Sequence, residues 1–162
     1  MPDYGNTSPC IHYCTIGLWQ CIAVWFYISR LQRIQNNAAR LVTGTSKYSH
    51  ITPVLINLHW LPVAQRIQYK ILLTVFKCLH GLAPVYLTEL IVLYIPNRPL
   101  RSAGANLLVV PKSRTKSYGD RSFSVAGPTL WNSLPESIRV LDGLVAFKRQ
   151  LKTHLFKVAF DL

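Results

Sequence analysis

His50-Ile51-Thr52-Pro53-Val54-Leu55-Ile56-Asn57-Leu58-His59-Trp60-Leu61-Pro62-Val63 opens a stretch that continues as an apolar helical pattern and closes on His80-Gly81-Leu82-Ala83-Pro84-Val85-Tyr86-Leu87. Proline suits the first turn of a helix, where its missing N–H has no partner to lose, and glycine just past the last periodic residue ends one. Pro53, Pro62 and Gly81 therefore predict a short helix, a tight corner and a long helix. From Pro62 to about His80, Ile67, Ile71, Val75 and Leu79 recur every four residues with Leu72 and Phe76 beside them, the period of a helix with one buried side. Arg66, Lys70 and Lys77 stand at offsets of four and seven, so they share one side, away from the densest apolar side.

Working back from this stretch, Ser29 is a candidate cap for a helix through Leu31 and Val42 that ends at Gly44. Leu31, Ile34, Ala38 and Leu41 form one narrow apolar stripe, while Arg33, Asn37 and Arg40 line another side. Working forward, Pro84 opens a helix from Val85 to about Tyr94, apolar through Leu87, Leu90 and Ile91, and Pro96 and Pro99 end it. Between Arg98 and Arg121 no helical period survives. Arg98, Arg101, Lys112, Arg114, Lys116 and Arg121 face only Asp120 there. Leu107-Leu108-Val109-Val110 is a short apolar run, Pro111 marks a bend and Thr115 to Tyr118 is a candidate partner strand, which predicts a small β-hairpin around 107–118. Phe123 to Trp131 reads as a short helix anchored by its aromatics in the core. Asp142 is a candidate cap for a last helix, Gly143 to about Phe160, buried along Leu144, Phe147, Leu151, Leu155 and Val158 and basic along Lys148, Arg149, Lys152 and Lys157.

The expected fold class is mainly α, bundle-like, with one small hairpin. The chain divides by character into an apolar leader at 1–28, a helical region at 29–95, a basic loop or hairpin at 96–122 and a C-terminal helical region at 123–162. At 162 residues it has room for one ordinary domain with a real core. Eighteen Lys and Arg against six Asp and Glu, a formal charge of +12, favour a partner rich in phosphate, nucleic acid first and an anionic membrane surface second. Half the residues are hydrophobic, so the charge sits on faces of folded elements and not on a disordered tail.

Cations on one helix face displace condensed counterions together when they follow a phosphate backbone. Arg33, Arg40, Arg66, Lys70, Lys77, Lys148 and Lys152 are candidates for that role, although a solvated helix surface has the same composition. The densest candidate stretch is Arg98, Arg101, Lys112, Arg114, Lys116 and Arg121. There cations interleaved with Tyr118 and Phe123 combine neutralisation with base stacking, as single-strand binders do.

Catalytic chemistry is not expected. No two carboxylates lie closer than six residues apart, so nothing resembles a pair held for two catalytic magnesium ions. There is no Gly-rich phosphate loop, nucleophile elbow or metal-binding His pair at helical spacing. Cys10, His12, Cys14 and Cys21 are soft ligands at spacings foreign to zinc sites, and the four cysteines are too few and too clustered for a disulfide framework. Neither a metal nor a cofactor is implied. Ile11 to Ile28 is uncharged and just long enough to span a bilayer, which leaves a signal anchor as the alternative reading, with Arg30 and Arg33 on the cytoplasmic side.

From about Ile28 to Phe160 the chain resembles the C-terminal end of the reverse-transcriptase polyprotein of LINE-type, non-LTR retrotransposons of the jockey and chicken-repeat group. The matching motifs are Leu31-Gln32-Arg33-Ile34-Gln35-Asn36-Asn37-Ala38-Ala39-Arg40-Leu41, His50-Ile51-Thr52-Pro53-Val54-Leu55, Leu58-His59-Trp60-Leu61-Pro62-Val63 and Leu79-His80-Gly81-Leu82-Ala83-Pro84. They continue with Tyr118-Gly119-Asp120-Arg121, Leu130-Trp131-Asn132-Ser133-Leu134-Pro135, Phe147-Lys148 and Leu151-Lys152-Thr153-His154-Leu155-Phe156. The resemblance implies thumb-like helices that follow the polymerase palm and a tail that helps hold template RNA and target DNA during target-primed reverse transcription. It also implies that the palm aspartates and the endonuclease lie outside this stretch, leaving a catalytically empty fragment. Tyr4 to Tyr27 departs from the pattern. A shifted reading frame in a decayed element copy is one hypothesis for that segment, and the coding DNA tests it.

Overall fold

The computed structural model describes residues 28–96, 106–113, 119 and 122–161. Helix α1 covers 28–43. It is followed by α2 (Thr52–Asn57), α3 (Val63–Leu79), α4 (Val85–Thr88), α5 (Phe123–Asn132), α6 (Glu136–Arg139) and α7 (Leu144–Phe160). The fold class is mainly helical, as expected. The one β-type pairing among the described residues is a single antiparallel bridge, Leu93 to Leu108.

Helix α3 is the centre, packed against α5 on one flank and α7 on another. Its Leu72, Val75 and Phe76 join Leu61, Leu108, Trp131, Leu134, Ile138, Phe147, Leu151 and Leu155 in one core. Residues from 29–95 and from 123–162 thus share a single apolar interior. The Phe76 and Phe147 rings stack at 4.2 Å, and Trp131 lies 5.7 Å from Phe147. Phe147 begins α7 and meets the end of α3, while Phe156, near the end of α7, stacks at 5.9 Å on His59, just ahead of α3. The two long helices therefore run antiparallel. Gly127 permits the close approach of α5, since a Cβ there would meet Val75 Cγ2 at 3.0 Å. A smaller cluster of Ala39, Val54 and Leu55, with Trp60 and Phe160 against it, joins α1, α2 and the end of α7.

Three helices end the same way. A left-handed residue lets the following N–H turn back to a carbonyl of the last turn. Gly44 (φ 64°) does this for α1, with Thr45 N–H to Arg40 O at 3.1 Å, and Gly81 (φ 67°) for α3, with Leu82 N–H to Lys77 O at 2.8 Å. Between them, His59 (φ 52°) does it for α2, with Trp60 N–H to Leu55 O at 2.9 Å. The corner predicted between Pro53 and Pro62 is thus made by a histidine in a conformation that favours glycine.

Several expectations are corrected. Ser29 lies inside α1 and does not cap it. Gly143, not Asp142, stands at the N-cap of α7, with no side-chain cap. Val158 is exposed, and Phe156 packs on the core in its place.

The helix expected from Val85 to Tyr94 is only α4, and residues 92–94 are extended instead. Tyr94 N–H donates to Leu107 O at 2.8 Å and Val109 N–H to Val92 O at 2.9 Å. The partner of the 107–110 run is therefore the segment before it, and the expected hairpin is not formed by that run; its proposed second strand, 115–118, lies outside the described residues. The reason is a clamp from the other side. The Asn132 side chain accepts from Leu108 N–H at 2.9 Å and donates to Leu108 O at 2.8 Å, behaving as one residue of a neighbouring strand. Trp131 Nε1 secures the segment by donating to Asn106 O at 2.8 Å.

Helix α1 departs furthest from its apolar pattern. Gln35 and Ala39 are buried, whereas Ile34 is 64 % and Leu41 88 % exposed. Gln35 Nε2 donates to Leu61 O at 2.8 Å, and Gln32 Oε1 accepts from Val63 N–H at 2.9 Å. The first N–H groups of α3 have no partner within that helix, and buried backbone groups must find one. Satisfying Leu61 and Val63 turns the glutamine side of α1 inward and leaves its apolar stripe outside.

Candidate nucleic-acid interface

Arg66 and Lys70 are exposed on α3 and Lys77 is half-buried. At about 100° per residue the three fall within a sector of roughly 40°, some 150° round from the Leu72, Val75 and Phe76 side, and span about 16 Å along the axis. The apolar side holds the helix and the cationic side is presented by it. The Lys70 carbonyl accepts from Thr74 Oγ1 at 3.0 Å, so the ridge is continued by a short hydroxyl folded back on the backbone.

The cations of α7 divide. Lys148, half-buried, and Lys152, exposed, lie one turn apart, with exposed Arg149 alongside. Lys157 lies roughly 140° round from Lys152, so it does not belong to the same face. Because α7 runs antiparallel to α3 with Phe147 on Phe76, Lys148 lies at the Lys77 end of the pair and Lys152 toward its middle.

On α1, Arg33 is exposed and Arg40 is half-buried. Its Nη2 donates to Ser49 O at 3.1 Å and ties down the loop after α1, and its Nε is buried. Lys112 is exposed beyond the clamped segment. Arg98, Arg101, Arg114, Lys116 and Arg121, with Tyr118, lie outside the described residues.

Two features escaped the sequence reading. Lys47 Nζ sits 5.0 Å above the Tyr48 ring in the loop between α1 and α2, and that ring is 87 % exposed. An exposed aromatic beside a cation is what a splayed base stacks on. The adjacency Lys47-Tyr48 is the signal in the sequence, and it lies in a loop without periodicity. The second is Arg139, whose Nε and Nη1 are buried without a hydrogen-bond partner; no sequence pattern marks it.

Cys78 is buried at 3 % exposure, and burial pushes its thiol up to about 11, outweighing the opposing backbone hydrogen bond, so it stays protonated and unreactive near neutral pH. Burial also raises Tyr69. Among the described residues no group of three His, Cys, Asp or Glu is placed to hold a metal ion, and no helix is long and apolar enough to cross a membrane. The cysteines at 10, 14 and 21, and all of the 11–28 segment but Ile28, lie outside those residues.

Compared with protein-family models, curated proteins and solved structures, the chain finds no match in any of the three. The functional reading rests on the residues themselves and on the ordered motifs from Leu31 to Phe156.

Proposed function

We propose that this chain is a helical, basic nucleic-acid-binding module with no catalytic centre of its own, the post-palm portion of a non-LTR retrotransposon reverse transcriptase. In the whole enzyme such a module would steady template RNA or target DNA while another domain performs the polymerisation. The observation that carries the binding half is the α3 ridge. Arg66, Lys70 and Lys77 project from one sector of the helix whose opposite side forms the centre of the core, so their spacing is held by packing. Fixed cations release counterions without first losing the freedom of a mobile tail. Lys148 and Lys152 on the adjoining α7 extend the same electrostatic surface chemistry, and the exposed Lys47 and Tyr48 pair suits stacking. The family half rests on the series of motifs quoted above and on their order.

Fluorescence anisotropy with a labelled single-stranded RNA, across a salt series, tests the binding. Replacing Arg66, Lys70 and Lys77 together by Ala should lower the magnitude of the slope of log K against log salt by about 2, at roughly 0.7 per phosphate contact on a single strand. Lys157→Ala, on a different side of α7, should change it by less than one contact's worth. An unchanged slope in the triple variant removes α3 from the interface.

A further inference from the structure

We infer that the turn between α1 and α2 is a stacking platform for one unpaired nucleobase, with the Tyr48 ring as its surface, so that the chain holds single strands more tightly than duplex. This rests on the reading of the chain as a nucleic-acid-binding module. It adds what the α3 ridge cannot supply, because cations on a helix contact phosphates and do not sense whether the bases are paired. Tyr48 stands out by exposure. Its ring is 87 % exposed, and among the described Phe, Tyr and Trp side chains the next most open is Tyr94, at 45 %. An aromatic ring stabilises a fold chiefly by burial, so a ring left on the surface contributes almost nothing to the core.

The turn holds the ring in place without covering it. Ser49 N–H donates to Ser46 O at 3.1 Å and Tyr48 N–H to Ser46 Oγ at 3.4 Å. From α1, Arg40 Nη2 reaches across to Ser49 O at 3.1 Å. The backbone on either side of Tyr48 is therefore fixed before a ligand arrives, which lowers the ordering cost of binding. Lys47 Nζ lies 5.0 Å from the ring centroid, over one face. A base has the other face to stack on, and Lys47 and Arg40 set two cations beside the phosphates that flank it. No carboxylate stands between residues 28 and 88. The charge selects an anionic ligand and the ring a flat one, and a nucleic acid with an unpaired base offers both. In the interior of a duplex both faces of every base are covered by its neighbours, and Tyr48 has nothing to stack on.

Fluorescence anisotropy of the full chain tests this with labelled DNA of one length in three forms: a single strand of mixed sequence, the same sequence as duplex, and a strand of abasic deoxyribose phosphates. The single strand and the abasic strand differ in bases and not in charge. Tyr48→Ala should lose roughly five- to 150-fold on the single strand, the range of one base stacked on one aromatic ring. On the duplex and the abasic strand it should lose under about twofold, and its salt slope should match the parent's, because no charge is removed. Tyr48→Trp keeps a ring and should bind the single strand at least as tightly as the parent. Thermal melts of the three proteins should coincide, since the ring is exposed. A Tyr48→Ala chain that binds the single strand as the parent does, one that loses the same factor on the abasic strand, or a Tyr48→Trp chain as weak as Tyr48→Ala would each overturn the stacking site and leave the binding module standing. A parent chain that binds none of the three would overturn both.

Discussion

Replacing Asn132 by Ala removes two hydrogen bonds and, more costly, strands both backbone groups of Leu108. Leu108 is 3 % exposed, so water does not readily replace the amide. A buried donor or acceptor left without a partner costs about 1–3 kcal/mol, so the pair should cost roughly 2–6 kcal/mol. That is a large share of the ~5–15 kcal/mol by which a domain is ordinarily stable. Urea unfolding followed by far-ultraviolet circular dichroism measures it, and the midpoint should fall with the slope unchanged. Ser133→Ala, which removes an exposed hydroxyl bonded to Leu130 O within the same turn, is the control and should cost under about 0.5 kcal/mol. Asn132→Asp should also destabilise, because it keeps an acceptor for Leu108 N–H but sets a carboxylate oxygen against Leu108 O. Equal stability of Asn132→Ala and Ser133→Ala would refute the clamp, and with it the explanation of why 107–109 pairs back to 92–94.

Gly127→Ala should destabilise by about 1–3 kcal/mol, read in a thermal melt, because the new methyl meets Val75 Cγ2 at 3.0 Å where α5 and α3 pack closely. Alkaline pH should weaken the fold through Cys78. Its folded-state value, about 11, lies above the ordinary 9.0, so its contribution is whole below pH 9 and is lost as pH rises toward 11, on the order of 2–3 kcal/mol in all. Urea midpoints of the parent and of Cys78→Ala measured from pH 8 to 11 should converge across that window, and parallel curves would show that the buried thiol does not titrate with unfolding.

Much of the helical frame was legible from residue order. The four-residue repeat from Ile67 to Leu79, the proline before it and Gly81 after it set α3 within a residue or two, because a regular apolar period and its stop signals act locally. The α3 ridge was legible for the same reason, since offsets of four and seven mean one face on any helix. The α7 basic face was legible only in part, Lys157 falling on another side. The tie between Arg40 and the Ser49 carbonyl was not legible, because that acceptor belongs to a loop whose path no period describes.

What tertiary structure alone decided is where backbone polar groups find partners. The apolar stripe of α1 predicted its own burial, yet Gln32 and Gln35 face inward, because Leu61 O and Val63 N–H at the start of α3 needed partners and Pro62 between them has no N–H to offer. Residues 92–94 follow an apolar helical pattern, yet they are extended, because the clamp of Asn132 on Leu108 presents Leu107 and Val109 to them as a ready edge. Side-chain hydrophobicity is a property each residue carries with it and can be read in order along the chain. Hydrogen-bond satisfaction belongs to pairs separated by 24 to 31 residues, and such pairs exist only once the chain has folded.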